Sequence, residues 1–161
     1  MVEREIIPFI QNRYAVDSNE RILVGRSLGG LAAVHALLTR PDLFRRYVIL
    51  SPSIWWDDWF SQRGDRYVMR MEEKTREFEY PDETRVYFAV GDTEEQFGLV
   101  TDLHVLANAL RNRRDDNLKV YLEVLGEELH EGIFPDGFMR GIVGIYSGDA
   151  DRRPSASKVR W

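Results

Sequence analysis

Apolar and polar residues alternate in blocks along the chain, and these blocks predict strands and helices. Four short apolar runs, RILVG, RRYVILS, TRVYFAVG and LKVYLEVLG, occupy residues 21–25, 45–51, 84–91 and 118–126. Continuous apolar runs of this length are typical of strands buried on both faces of a parallel sheet. Amphipathic or alanine-rich segments follow three of them, SLGGLAAVHALLTR at 27–40, FGLVTDLHVLANALRNRR at 97–114 and a segment ending near residue 147, and they predict helices.

The alternation of strands and helices predicts an α/β fold with about four parallel strands. A short helix around Pro8 and the polar turn DSNE precede the first strand, and residues 54–80 read as a loop with one or two helices. We expect one domain over residues 1–148 and a polar tail over 149–161. Catalytic groups of such sheets gather at the carboxyl ends of the strands.

Composition narrows the classes of function. The chain has 161 residues, 43% of them hydrophobic and 30% charged, with a net charge of -5 and no cysteine. The negative charge argues against nucleic-acid binding, and the missing cysteine excludes disulfides and thiolate chemistry. No apolar run is long enough to span a bilayer, and the first residues lack a signal-peptide pattern. If Met1 is the true start, we therefore expect a cytoplasmic protein without membrane contact.

The stretch GRSLG at residues 25–29 fits the G-x-S-x-G pattern of a nucleophile elbow. It lies between a predicted strand and a predicted helix, which is the context this motif requires. Glycines permit the tight, strained turn that lifts a serine above the sheet. Ser27 is therefore the candidate nucleophile, and the N–H of Leu28 is a candidate donor to an oxyanion. The alternative is a glycine-rich turn with Ser27 as a helix cap.

A nucleophilic serine needs a base, and the chain has three histidines. His35 and His104 fall within predicted helices, where packed or surface histidines are the simpler interpretation. His130 follows the fourth predicted strand in the loop VLGEELHEGIFPDGF. The order serine, acid, histidine in this class of hydrolase favours His130 as the base over a solvated loop residue.

The acid should follow the third strand, where FAVGDTEEQ offers three carboxylates. Its task is to hold the histidine tautomer and to stabilise the imidazolium. We favour Glu94, with Asp92 second and Glu95 third. The alternative for each is a solvated loop acid.

Several separated motifs together resemble the esterase family of α/β-hydrolases, which includes esterase D type enzymes and ferric-enterobactin esterases. They are LVGRSLGGLAAVHALLTRPDLFRRYVILSPSIWWDD, VGDTEE and GEELHEGIFPDGFMRGI, in this order along the chain. The resemblance extends from about Ile6 to Tyr146. It implies a partial α/β-hydrolase fold, since family members have further strands and helices before the elbow, and it places the family's acid on Glu94.

The resemblance also implies candidate substrate contacts and a structural consequence. Trp55 and Trp56 are candidates for an aromatic pocket, whereas Trp59 is expected to pack. Arg26, beside the candidate nucleophile, is a candidate contact for an anionic substrate group, although a solvated or ion-paired arginine is the simpler interpretation. Without preceding strands RILVG would be an edge strand, which a second copy of the chain, the amino-terminal helix or a further segment of the gene product would have to cover.

These observations favour a serine hydrolase of carboxylic esters, with a small-molecule ester as substrate and without cofactor or metal. A siderophore ester and a simpler carboxylic ester are equally consistent with the sequence. Loss of one oxyanion donor lowers turnover by about 10²–10³, so a catalytically impaired fragment that acts as a binding or oligomeric module is the second hypothesis. A third keeps the elbow but transfers the acyl group to an alcohol.

Overall fold

The computed structural model describes residues 1–56 and 66–147, and a parallel sheet lies at its centre. The four strands are β1 (Ile22–Arg26), β2 (Arg46–Leu50), β3 (Thr84–Gly91) and β4 (Leu118–Leu125). They pair in the order β1-β2-β3-β4, all in parallel. The predicted α/β fold is confirmed, and each predicted run agrees with a strand to within one residue at either end.

Helices connect the strands as the apolar spacing indicated. They are a π-helical turn (Val2–Ile6), α1 (Ile7–Gln11), α2 (Leu28–Thr39), α3 (Tyr67–Lys74), a 3₁₀ turn (Asp92–Phe97), α4 (Leu99–Arg111) and α5 (Ile133–Ser147). The 3₁₀ turn, which follows β3 directly, was not predicted. Trp59, Asp57, Asp58 and the tail 149–161 lie outside the described residues.

The sheet carries a separate core on each face because side chains of a strand alternate between its faces. Tyr47 and Ile49 of β2 lie in a core with residues of α2, α3 and α4. Val48 and Leu50 of the same strand lie in a second core with Ile133 of α5. Among the described helices, α2 and α4 thus pack on one face of the sheet, α3 packs against those two helices, and α5 packs on the other face.

The two outer strands differ in character. In β1, Ile22, Leu23 and Val24 are only half-buried, and within the described ranges no strand pairs with its outer side. Within the described ranges β1 thus lies at the edge of the sheet, as expected for RILVG without preceding strands, and it is less buried than its apolar run indicated. The opposite edge, β4, carries Lys119 and Glu123 among its apolar residues, as edge strands commonly do.

The carboxyl edge of the sheet brings four polar side chains to one side of the domain. Ser27 follows β1, Ser51 follows β2, Glu94 lies in the turn after β3, and His130 lies in the loop after β4. Parallel strands end at the same edge, so residues up to 103 positions apart in sequence meet there. The candidate active site is therefore expected at this edge of the sheet.

The described residues include neither a membrane-spanning helix nor a cluster of metal-binding side chains. Among the helices in the described ranges, none combines the length and apolar character needed to cross a membrane. Residues 1–56 and 66–147 also contain no group of three or more histidine, aspartate or glutamate side chains that could hold a metal ion.

Candidate active site

Ser27 occupies a strained turn between β1 and α2. Its backbone has φ 56° and ψ -122°, a conformation that costs a non-glycine residue roughly 1–3 kcal/mol. The turn is tight enough that a Cβ atom on Gly25 would lie 2.2 Å from the carbonyl oxygen of Gly29. Glycine is therefore required two residues before Ser27 for steric reasons. This is the geometry that the G-x-S-x-G pattern predicted.

Helix α2 starts directly after Ser27 and directs its first amides toward this turn. The carbonyl of Ser27 already accepts the N–H of Leu31 at 3.0 Å, as a residue preceding a helix does. The N–H of Leu28 belongs to the first turn, whose amides have no partner within the helix. The positive end of the helix dipole adds to its ability to hold an anion.

His130 and Glu94 form the central polar contact of the site. Nδ1 of His130 lies 2.7 Å from Oε2 of Glu94, and the Glu94 side chain is only 2% exposed. The other carboxylate oxygen, Oε1, accepts the N–H of Gly91 at 2.9 Å and the hydroxyl of Ser51 at 2.5 Å. Three donors thus hold a buried carboxylate in one orientation. The contact orients the imidazole so that Nε2 faces away from Glu94.

The two neighbouring acids have other partners. Oδ1 of Asp92 accepts the N–H of Glu127 at 2.9 Å, which ties the 3₁₀ turn to the histidine loop. Glu95 accepts the N–H and the hydroxyl of Thr101 at the start of α4, and the hydroxyl contact holds the pKa of Glu95 below its ordinary value. Of the three candidate acids, the structure brings Glu94 to His130.

The histidine loop is also attached to the elbow. A guanidinium nitrogen of Arg26 donates to the carbonyl oxygen of His130 at 2.7 Å. Arg26 is the residue just before Ser27, so this bond links the elbow to the loop that carries His130. The predicted role of Arg26 in binding an anionic substrate stays a prediction.

Ser27 and His130 are not hydrogen-bonded to each other in this structure. The described partner of the Ser27 hydroxyl is instead the hydroxyl of Ser53, with 3.2 Å between the two Oγ atoms. Ser27 is half-buried, so its side chain has room to rotate between staggered positions.

A groove begins beside the elbow. It has a volume of about 580 Å³, and its lining residues are Leu28, Leu31, Ala32, His35, Trp56, Tyr67 and Arg70. The Trp56 side chain is 55% exposed there, whereas Trp55 is half-buried and packs against the core. The pocket role predicted for both tryptophans stays a prediction, with Trp56 as the one that lines the groove. Among the other histidines, His35 bonds the Tyr67 hydroxyl at 2.7 Å, and His104 is exposed on α4.

Sequence reasoning missed Ser51 and Ser53. Both hydroxyls are buried, and they contact Glu94 and Ser27 respectively. A usable signal was present, because two serines flank a proline at the carboxyl end of a predicted strand. That position lies at the same sheet edge as the elbow, where a buried hydroxyl needs a partner.

Three comparisons relate this chain to known proteins. A family model described as "Putative esterase" matches residues 1–135. The ferri-bacillibactin esterase BesA of Bacillus subtilis is 24% identical over 146 residues, 84% of this chain and 50% of that protein. The siderophore triacetylfusarinine C esterase of Aspergillus fumigatus is 47% identical over 57 residues, 35% of this chain and 20% of that protein.

A solved structure agrees with the sequence matches. The crystal structure of the BES protein from Bacillus cereus has a TM-score of 0.76 to this chain at 30% identity, covering 88% of this chain and 52% of that one. The chain thus spans about half the length of BesA and of this solved structure.

Proposed function

The chain belongs to the Esterase family, and on that premise we propose that it is a serine hydrolase of carboxylic esters. Ser27 is the nucleophile, His130 the general base and Glu94 the acid that orients it. The observation that carries this proposal is the 2.7 Å contact between His130 and the buried Glu94, at the sheet edge that also carries the strained Ser27 turn. Serine, acid and histidine follow one another along the chain in the order expected of this fold.

The contact with Glu94 determines which nitrogen acts as base. A proton on Nδ1 of His130 is shared with the carboxylate, which leaves Nε2 unprotonated and able to accept a proton. Rotation about its Cβ–Oγ bond first directs the Ser27 proton away from Ser53 and toward Nε2. Its oxygen then attacks the ester carbonyl while its proton passes to His130, and the imidazolium that forms is stabilised by Glu94.

The remaining steps use the same groups. The N–H of Leu28 holds the negative oxygen of the tetrahedral intermediate. His130 returns the proton to the departing alcohol, which leaves the acyl group on Ser27. Water, deprotonated by His130, then attacks the acyl carbon. The bond to Ser27 breaks, the acid departs, and His130 returns the proton to the Ser27 oxygen. His130 thus takes part in each proton transfer of the proposed reaction.

For the substrate, we propose an ester with an apolar or aromatic portion, of the kind found in siderophores. Two relatives are named as siderophore esterases. The groove beside Leu28 supports the proposal because aliphatic and aromatic side chains make up most of its lining. Trp56 offers an exposed ring face on which a planar group can stack.

A second candidate function is favoured by the edge position of β1. A half-buried, apolar outer strand with unpaired backbone groups is a surface on which another strand can pair. In this alternative the chain is an impaired hydrolase that forms an oligomer through β1. Sedimentation velocity distinguishes the two: a stable dimer that hydrolyses esters no faster than its Ser27→Ala variant supports the alternative.

The central test is hydrolysis of p-nitrophenyl acetate by the wild type and Ser27→Ala. We expect Ser27→Ala to lose at least about 10⁴-fold in kcat, since removal of a triad nucleophile abolishes covalent catalysis. Ser18→Ala, in an exposed turn, is the matched control and should retain the wild-type rate. Equal rates for the wild type and Ser27→Ala would contradict the proposal.

A further inference from the structure

The turn Ser51-Pro52-Ser53 places one buried hydroxyl against each half of the active site. The Ser51 hydroxyl donates to Oε1 of Glu94 at 2.5 Å, and Oγ of Ser53 lies 3.2 Å from Oγ of Ser27. The two serines are 0% and 2% exposed. Within the described ranges, the side-chain partners of both hydroxyls lie in the candidate site, so their placement bears directly on the chemistry.

The position of Ser53 is fixed by its backbone. The N–H of Ser53 donates to the carbonyl oxygen of Ser27 at 3.1 Å, so the two serines are joined by main chain as well as by side chain. Pro52 packs so tightly on α2 that a Cβ atom on Gly30 would lie 2.9 Å from the Pro52 Cα. Glycine at position 30 thus allows the turn to reach the elbow. The N–H of Ser51, bonded to the carbonyl of Ala89 at 2.8 Å, anchors the other side.

We infer that Ser53 is a further catalytic residue, whose hydroxyl donates a hydrogen bond to the Ser27 oxygen while that oxygen carries negative charge. This inference rests on the proposed function. In the resting state either hydroxyl can be the donor. Once Ser27 directs its proton to His130, only Ser53 can donate between the two.

The lone pairs of the Ser27 oxygen allow both interactions. One lone pair attacks the ester carbon, and the other accepts a hydrogen bond from the Ser53 hydroxyl. The Ser27 proton passes to Nε2 of His130. The contact is repeated in the second half of the reaction, when the bond between the acyl carbon and Ser27 breaks. The Ser27 oxygen then takes back the bonding electrons beside the same donor. Ser53 keeps its own proton throughout.

Burial of Ser53 makes this hydrogen bond effective. Its side chain is excluded from water, and among the described residues its hydroxyl has Ser27 as its partner. A preorganised donor in a site of low polarity stabilises developing charge without reorganisation. The bond is therefore expected to strengthen in the transition state.

The test is pre-steady-state hydrolysis of p-nitrophenyl acetate by the full chain and two variants. The burst amplitude counts competent sites, the burst rate constant reports acylation, and the steady rate reports deacylation. We expect Ser53→Ala to lower both rate constants about tenfold, less than the loss for an oxyanion donor, with unchanged amplitude. Ser53→Cys fills the space of the serine side chain with a somewhat larger thiol that donates weakly. Its rate constants should fall with those of Ser53→Ala, which excludes an empty cavity as the cause.

The outcomes separate chemistry from structure. Wild-type rate constants in both variants overturn the inference, and so does a lower burst amplitude with unchanged rate constants, which indicates a purely structural role. If the wild type is no faster than Ser27→Ala, the proposed function fails and this inference fails with it. If the wild type exceeds Ser27→Ala while Ser53→Ala equals the wild type, the inference alone is overturned.

Discussion

The two halves of the candidate active site are built in different ways. Glu94 is buried and receives three hydrogen bonds, one of them from His130. Ser27 is half-buried on a strained turn, and its hydroxyl contacts the neutral hydroxyl of Ser53 rather than His130. Glu94 and His130 are thus held in a defined arrangement, whereas the Ser27 hydroxyl is not bonded to His130.

The difference has a physical basis. A buried carboxylate is costly unless donors surround it, so the fold must satisfy Glu94 in every state. A half-exposed serine hydroxyl has no such requirement and can redirect its proton by rotation about the Cβ–Oγ bond. We expect substitution of Glu94 itself to lower kcat more than substitution of the residues that hold Glu94 or His130 in place.

Among substitutions in the acid half, the largest effect is expected from Glu94→Gln, which keeps the shape but removes the charge that stabilises His130 as an imidazolium. A glutamine also permits the wrong histidine tautomer, so kcat should fall by about 10²–10⁴. Steady-state hydrolysis of p-nitrophenyl acetate measures this. A variant with near-wild-type kcat would show that Glu94 is not the triad acid.

A smaller loss is expected from Ser51→Ala. The carboxylate of Glu94 would keep the Gly91 amide and His130 but lose one of its three donors. We expect kcat to fall about tenfold with an unchanged KM, and stability to fall by about 1–3 kcal/mol because a buried acceptor loses a partner. Urea unfolding and kinetics on the same sample check both. Loss of stability with full kcat would reduce Ser51 to a structural role.

Arg26→Met tests the link between the halves. Without the bond to the carbonyl of His130 the histidine loop is less firmly placed, and kcat should fall about fivefold with KM unchanged. Comparison of a neutral ester with an anionic one separates two interpretations. A rise in KM for the anionic ester alone would instead support the substrate-binding role expected from the sequence.

The smallest effect is expected from Glu95→Gln, the matched control for Glu94→Gln. Because Glu95 bonds Thr101 rather than His130, kcat should stay within about twofold of the wild type. The lowered pKa of Glu95 means that its charged form stabilises the fold above the ordinary value of 4.5.

That stabilisation is lost as the pH falls through the lowered pKa of Glu95 in the folded state. The difference in melting temperature between the wild type and Glu95→Gln should therefore be present at pH 7 and shrink below pH 4.5. A difference that grows on acidification would contradict this assignment.

Much of the fold followed from local patterns. The four apolar runs predicted the four strands, and the helices α2, α4 and α5 followed from apolar spacing. Local pattern was less informative about burial. RILVG has the composition of a central strand, yet β1 lies at the edge, because position in a sheet depends on which other strands are present.

The sequence by itself determined which side chains are candidates for catalysis. The elbow around Ser27 is encoded locally, because glycines at fixed offsets permit a turn that other residues would block. Chain order after the strands indicated His130 and reduced the acid to three candidates within four residues.

Only the tertiary structure decided between partners. It brought Glu94, rather than Asp92 or Glu95, to His130, and it placed Ser53 against Ser27. Adjacent residues in the 3₁₀ turn point in different directions, and contacts across 26 to 43 residues depend on how strand ends align at one edge of the sheet. Composition and spacing do not determine those side-chain directions, because the directions arise only when the parallel strands pack side by side.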